Sequence, residues 1–121
     1  MERCPELVEL EQFFGSAYKS ATNGDTHWFY DQLTFRARCP SGEVRCVIEP
    51  ALRTFAVQLF RPGEPVIDLA LNGVSALDLE PSAGQFVLVG HVAPGKLDQL
   101  FKLRLKPDFS FTLTTALPSE M

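Results

Sequence analysis

The sequence predicts an α+β domain, with an N-terminal amphipathic helix packed on a strongly curved, mainly antiparallel sheet or half barrel of about seven strands. Three observations carry this expectation. Apolar residues recur at intervals of three and four up to Ala21, they alternate with polar residues from Leu33 onward, and short Gly-, Pro- and Asn-containing turns separate the alternating segments. A chain of 121 residues holds one hydrophobic core comfortably and two poorly, so residues 1–121 read as a single domain.

The helix is expected over residues 5–21. Pro5 suits a first helical position, Glu6, Glu9 and Glu11 suit the positive end of the helix dipole, and Lys19 suits the negative end. Leu7, Leu10, Phe14, Ala17, Tyr18 and Ala21 form one apolar stripe, with Leu10, Phe14 and Tyr18 the docking residues. Asn23-Gly24 is the expected stop.

A β-meander is expected over residues 28–115. Trp28, Phe29 and Tyr30 open it, with Trp28 and Tyr30 on one strand face. Leu33, Phe35, Ala37 and Cys39 alternate with Thr34, Arg36 and Arg38, and Val44, Cys46 and Ile48 follow a Ser41-Gly42 turn. That turn sets Arg38 opposite Arg45 and makes Cys39 and Cys46 diagonal neighbours, too far apart for an unstrained disulfide, so two buried thiols are expected. Strands over 53–61 and 66–72 keep Phe55, Val57, Leu59, Ile67, Leu69 and Leu71 on one face if residues 62–64 form a three-residue loop. By the same rule, a loop at Asn72-Gly73-Val74 pairs the next strand, carrying Leu77 and Leu79, with the one before it. The segment 85–92 is apolar on both faces, which marks a central strand without choosing its inner side. A helical turn over 97–100 precedes a last hairpin, in which Phe101, Leu103 and Leu105 face Phe109, Phe111 and Leu113. The tail, residues 117–121, has no period and is expected to be mobile.

Composition narrows the function classes. Ten phenylalanines supply bulk without a polar handle and belong in the core. A net charge of −4 disfavours a general nucleic-acid binder, and no apolar run approaches the ~20 residues of a membrane-spanning helix. The acidic start lacks the pattern of a signal peptide, so a cytoplasmic protein is expected. Cysteines spaced C-x6-C and two isolated histidines, His27 and His91, give no metal-ligand pattern, and no Gly-rich phosphate loop is present. No catalytic residue, metal ligand or cofactor is expected.

The expected function is binding. Arg36, Arg38 and Arg45 gather on the outer face of the first hairpin of an acidic chain, where a like-charge pairing is unfavourable until a partner supplies carboxylates. Trp28 and Tyr30, in the densest aromatic cluster, are the second candidate contact. The partner is expected to be a protein, with this chain a monomer or weak homodimer. An apolar-ligand carrier built on the concave side of the sheet is the alternative, and an enzyme the least supported.

The order of parts also resembles a known family. The segment Trp28-Phe29-Tyr30-Asp31 opens a long hairpin, a strand with a Gly-Val turn follows over residues 67–79, and an amphipathic hairpin ends the pattern. Residues 28–115 resemble, in pattern, the small β-rich immunity proteins encoded beside polymorphic or contact-dependent bacterial toxins. Many of those proteins carry a His-Asp-Ala turn where this chain has Tyr30-Asp31-Gln32. The resemblance implies stoichiometric neutralisation of one cognate toxin in the cytosol, without catalysis.

Overall fold

A computed structural model describes residues 1–23, 25–62, 64–92 and 98–116. The helix, α1, spans Leu7–Phe14 and is half the expected length. Glu6 and Glu9 close its start as a reciprocal capping box, with the Glu6 amide donating to Glu9 Oε1 at 2.9 Å. Gly15 ends it at φ 76°, its amide donating to the Glu11 carbonyl at 2.8 Å. The left-handed turn that glycine takes freely outweighs the apolar period beyond it, so Tyr18 and Ala21 leave the helix. Leu10 and Phe14 are buried as expected, and the Phe14 ring stacks on Phe35 with centroids 4.7 Å apart. Tyr18 still meets Phe35, now from the loop side.

Among the described residues nine strands follow where about seven were expected, and they form two sheets instead of one half barrel. The first sheet holds β1 (Lys19–Ser20), β2 (Leu33–Cys39), β3 (Gly42–Glu49), β4 (Thr54–Arg61) and β5 (Glu64–Asn72), in that order. The second holds β6 (Val74–Ser82), β7 (Gln85–Val92), β8 (Asp98–Arg104) and β9 (Ser110–Ala116), also in chain order. The expected pairing of β5 with β6 does not form. Gly73, at φ 75°, redirects the chain, and the Val74 amide donates across to the Arg53 carbonyl at 2.9 Å. Splitting the ladder here lets each sheet bury its apolar face against the other, which a single open sheet cannot do.

Both sheets and α1 share one core. Phe55 of β4 stacks on Phe101 of β8 with centroids 4.6 Å apart, and Leu10, Phe35, Ile48, Leu88 and Leu103 are fully buried around them. The expected alternation holds in β2, β3 and β4, whose inward residues are Leu33, Phe35, Val44, Cys46, Ile48, Phe55, Val57 and Leu59. β7 is central, and its inner side is now assigned: Leu88 and Val92 join the common core, and Gly90 between them lies against the Phe101 ring. A Cβ at Gly90 would fall within 2.6 Å of three carbons of that ring.

One register, one strand end and one element differ from expectation. The β2–β3 turn is Pro40-Ser41, not Ser41-Gly42, because Cys39 pairs with Gly42. The Asp108 carboxylate holds this turn from the opposite sheet, accepting from the Ser41 amide at 2.9 Å and the Ser41 hydroxyl at 2.6 Å. Every side chain keeps its face and changes its partner: Arg36 now opposes Arg45, and Arg38 opposes Glu43. Cys39 and Cys46 are therefore not diagonal neighbours, and both are free and buried. Between β4 and β5, Arg61 pairs with Glu64, and a register shift between Leu59 and Phe60 returns the rest of the ladder to the expected phase, with Leu59 opposite Ile67. The expected helical turn over 97–100 is strand from Asp98, with residue 97 outside the described residues. The expected stop at Gly24 and the tail 117–121 also lie outside them.

Candidate partner-binding face

Antiparallel pairing turns the outer side of the first sheet into rows of side chains. One row crosses the strands as Arg36, Arg45, Gln58 and Asp68, and a second as Arg38, Glu43, Phe60 and Pro65. A third runs Lys19, Thr34, Val47, Ala56 and Ala70. The three arginines predicted from the sequence are thus on one face, and all three are exposed. The face is not uniformly basic: cations gather on β2 and β3, and Asp68 terminates the central row on β5.

Register decides which arginines are frustrated. Arg36 reaches Glu43 at only 3.8 Å, with the Arg36 side chain exposed and that of Glu43 partly so, a contact worth at most about 1 kcal/mol. Among the described residues, neither Arg38 nor Arg45 has a carboxylate within 4.0 Å. The directly opposed pair is Arg36 and Arg45, a correction to the Arg38–Arg45 pair expected from the turn. Phe60 stands beside them and lines, with Arg36, Glu43 and Arg45, a shallow hollow of about 180 Å³. Sequence reading did not single out Phe60, although its phase in β4 already placed an aromatic ring on the outer face.

The aromatic cluster is built differently from the expected strand. Trp28–Tyr30 is one turn of 3-10 helix, started by His27, whose Nδ1 accepts from the Phe29 amide at 3.2 Å. Successive side chains on such a turn diverge, so Trp28 and Tyr30 do not share a face: Trp28 packs on the core edge, whereas Tyr30 is 70% exposed. The Ala51 amide donates to the Phe29 carbonyl at 3.0 Å, which ties the turn to the Pro50 end of the β2–β3 hairpin. Arg38 lies at the other end, so the two candidate patches are separate. Next to the aromatic turn, Asp31, named from the sequence only within the Trp28–Asp31 segment, is a buried carboxylate. It accepts from Ser20, from Thr22 Oγ1 at 2.8 Å and from the Gln32 amide at 2.7 Å. These bonds, that of Ser20 foremost, hold it below the usual carboxylate range.

A further polar cluster involves His91. Residues 2–3 run beside β6 in parallel, the Glu2 amide donating to Ser75 at 2.6 Å and the Leu77 amide to Arg3 at 2.9 Å. Arg3 then forks onto Asp78 at 3.1 and 2.9 Å, and His91 Nε2 lies 3.5 Å from the same carboxylate. The Arg3 hydrogen bond chiefly holds Asp78 below the usual carboxylate range. His91 is isolated in sequence but has a carboxylate partner in space. A surface cleft of about 550 Å³ beside this cluster is lined by Cys4, Trp28 and Asp78 among others. Burial pushes the Cys4 thiol up to about 12 and raises Cys46 and Cys39 as well, which makes all three poor nucleophiles at neutral pH. Among the described residues, no three His, Cys, Asp or Glu side chains gather as a metal site, and no helix is long and apolar enough to cross a membrane.

No protein-family model matches this chain, and no curated protein matches it in sequence. In structure it is similar to a chain of the contact-dependent growth inhibition toxin–immunity protein complex from Klebsiella pneumoniae 342. The match has a TM-score of 0.78 and covers 95% of this chain and 96% of that one, at 14% sequence identity. The two chains share a fold, and the solved complex belongs to the class of system that residues 28–115 resemble in pattern.

Proposed function

We propose that this chain is an immunity protein: a non-catalytic, cytoplasmic protein that neutralises a cognate bacterial toxin by binding it directly. The observation that carries the proposal is the shared fold with a chain of a toxin–immunity complex over nearly the full length of both. The resemblance of residues 28–115 to small immunity proteins points the same way. Ligand carriage is less well supported, because the space between the sheets is filled by Phe35, Phe55 and Phe101, each at most 1% exposed.

The contact surface in this proposal is the β2–β3 half of the outer face. Arg36 and Arg45 are opposed and poorly neutralised in the free chain, and a partner's carboxylates relieve that repulsion. Phe60 and Val47, half-buried beside them, give such an interface an apolar centre. Tyr30 and Trp28 are a second, separate contact. Desolvated arginines near the centre of an interface cost about 2 kcal/mol or more each on removal. The triple change Arg36→Ala, Arg38→Ala, Arg45→Ala is therefore expected to weaken binding at least tenfold.

The test co-expresses this chain with the toxin domain encoded beside it in the host. Restored growth and a stoichiometric complex on gel filtration support the proposal; calorimetry of the triple variant then tests the face. Growth arrest caused by this chain alone, or full toxicity in its presence without a complex, overturns the immunity reading. Unchanged affinity of the triple variant overturns the assignment of the face.

A further inference from the structure

A sheet ends in edges, and each edge strand presents unpaired amide and carbonyl groups to which another chain can add. The two sheets have four outer strands: β1, β5, β6 and β9. Three of them are blunted. β1 has two residues. β5 carries Glu64, Pro65 and Asp68 and is distorted by the register shift between Leu59 and Phe60. β6 is met by residues 2–3, through the Arg3–Ala76 bridge, and contains Pro81. Each of these is a recognised obstacle to strand addition.

β9 has none of these obstacles. Its seven residues, Ser110-Phe111-Thr112-Leu113-Thr114-Thr115-Ala116, contain no charge, proline or glycine. Among the described residues it pairs on one side only, with β8. At its midpoint stands Leu113, a large apolar side chain left 41% exposed. An uncharged edge offers no electrostatic preference for a charged partner, and this one is complementary to itself. Antiparallel pairing of two copies about a twofold axis at Leu113 sets Leu113 on Leu113, Thr112 on Thr114 and Phe111 on Thr115, with Ser110 and Ala116 at the ends. Every pair is uncharged, the Thr–Thr pairs are favourable, and the strand is matched over its whole length.

We propose that β9 is a self-association edge, through which a second copy of this chain adds antiparallel and joins two four-stranded sheets into one of eight strands. The contact is one strand long, about 23 Å, and lies at the small end of protein interfaces, so the dimer is weak. It leaves the outer face of the first sheet free and does not depend on the immunity reading.

Sedimentation velocity of the full chain over micromolar to millimolar concentration is the test. Wild type is expected to move from monomer toward dimer as concentration rises. The double variant Thr112→Glu, Thr114→Lys sets Glu against Lys twice in the stated register and is expected to keep the ability to dimerise. The variant Thr112→Lys, Thr114→Lys sets Lys against Lys twice and is expected to stay monomeric, with circular dichroism confirming its fold. A wild type that is monomeric throughout, or a folded Glu–Lys variant that is monomeric throughout, overturns the proposal. So does a folded Lys–Lys variant that dimerises as well as wild type.

Discussion

Replacing Gly90 by Ala adds one methyl group to the centre of β7, and the packing around it sets the cost. The new carbon would fall within 2.6 Å of three ring carbons of Phe101, well inside van der Waals contact. The ring cannot move aside easily: Phe101 is fully buried and stacked between Phe55 at 4.6 Å and Phe111 at 5.5 Å. Overpacking a core by one methylene commonly costs 1–3 kcal/mol, and a ring clamped on both faces places this site at about 3 kcal/mol or above. Domains of this size are stable by about 5–15 kcal/mol, so the change removes a large share of the total. With a urea slope of about 1–3 kcal/mol per molar, the unfolding midpoint is expected to fall by at least about 1 M. Trimming the opposing ring in the double variant Gly90→Ala, Phe101→Leu is expected to cost less than the sum of the two single changes, because the leucine frees the space the methyl needs. A single-variant loss below about 0.5 kcal/mol, or strict additivity in the double variant, would refute the contact between Gly90 and Phe101.

Three further outcomes follow from the same packing. Phe14→Ala, which removes the ring stacked on Phe35, is expected to cost about 3–5 kcal/mol in chemical denaturation; a loss below about 1 kcal/mol would show that α1 docks elsewhere. Cys39 and Cys46 are expected to react slowly with a thiol reagent in the native state and promptly in denaturant, and prompt native labelling of either would contradict their burial. Asp31, Asp78 and Asp108 are each held below their unfolded values by hydrogen bonds, so their stabilisation is complete above about pH 4 and disappears as pH falls through the lower folded-state values. Asp31→Asn is therefore expected to flatten the acid limb of a stability–pH profile, and an unaltered limb would remove Asp31 from that account.

Periodicity made the elements legible wherever one face is buried. In β2, β3 and β4 the alternation chose the inward residues correctly, and in α1 the stripe chose Leu10 and Phe14. What the pattern could not choose was the partner. A two-residue slip at Pro40-Ser41 preserves every face, so nothing in the alternation separates Arg38–Arg45 from Arg36–Arg45; the choice comes from Asp108, sixty-seven residues away in sequence from Ser41. The break between the sheets was hidden for a similar reason, since Asn72-Gly73 turns a hairpin as readily as it redirects a chain. The arginine face was legible as a cluster, but its neighbour Phe60 and the buried Asp31 acquire their roles only from strands brought together in space.

Because both sheets are meanders, every strand-to-strand pairing joins neighbours in the chain, and all strands of the first sheet are complete before Gly73. Short separations between paired segments lower the entropy that must be spent before contacts form, so folding is expected to be fast for a protein made largely of strands. On the ribosome, β1 to β5 can hairpin together as they emerge, while the apolar faces of β2 to β5 wait uncovered for β6 to β9. A chain cut at Gly73 would yield two pieces, each carrying a whole sheet and half of a core, and mixing them should rebuild a protein that neither piece forms alone.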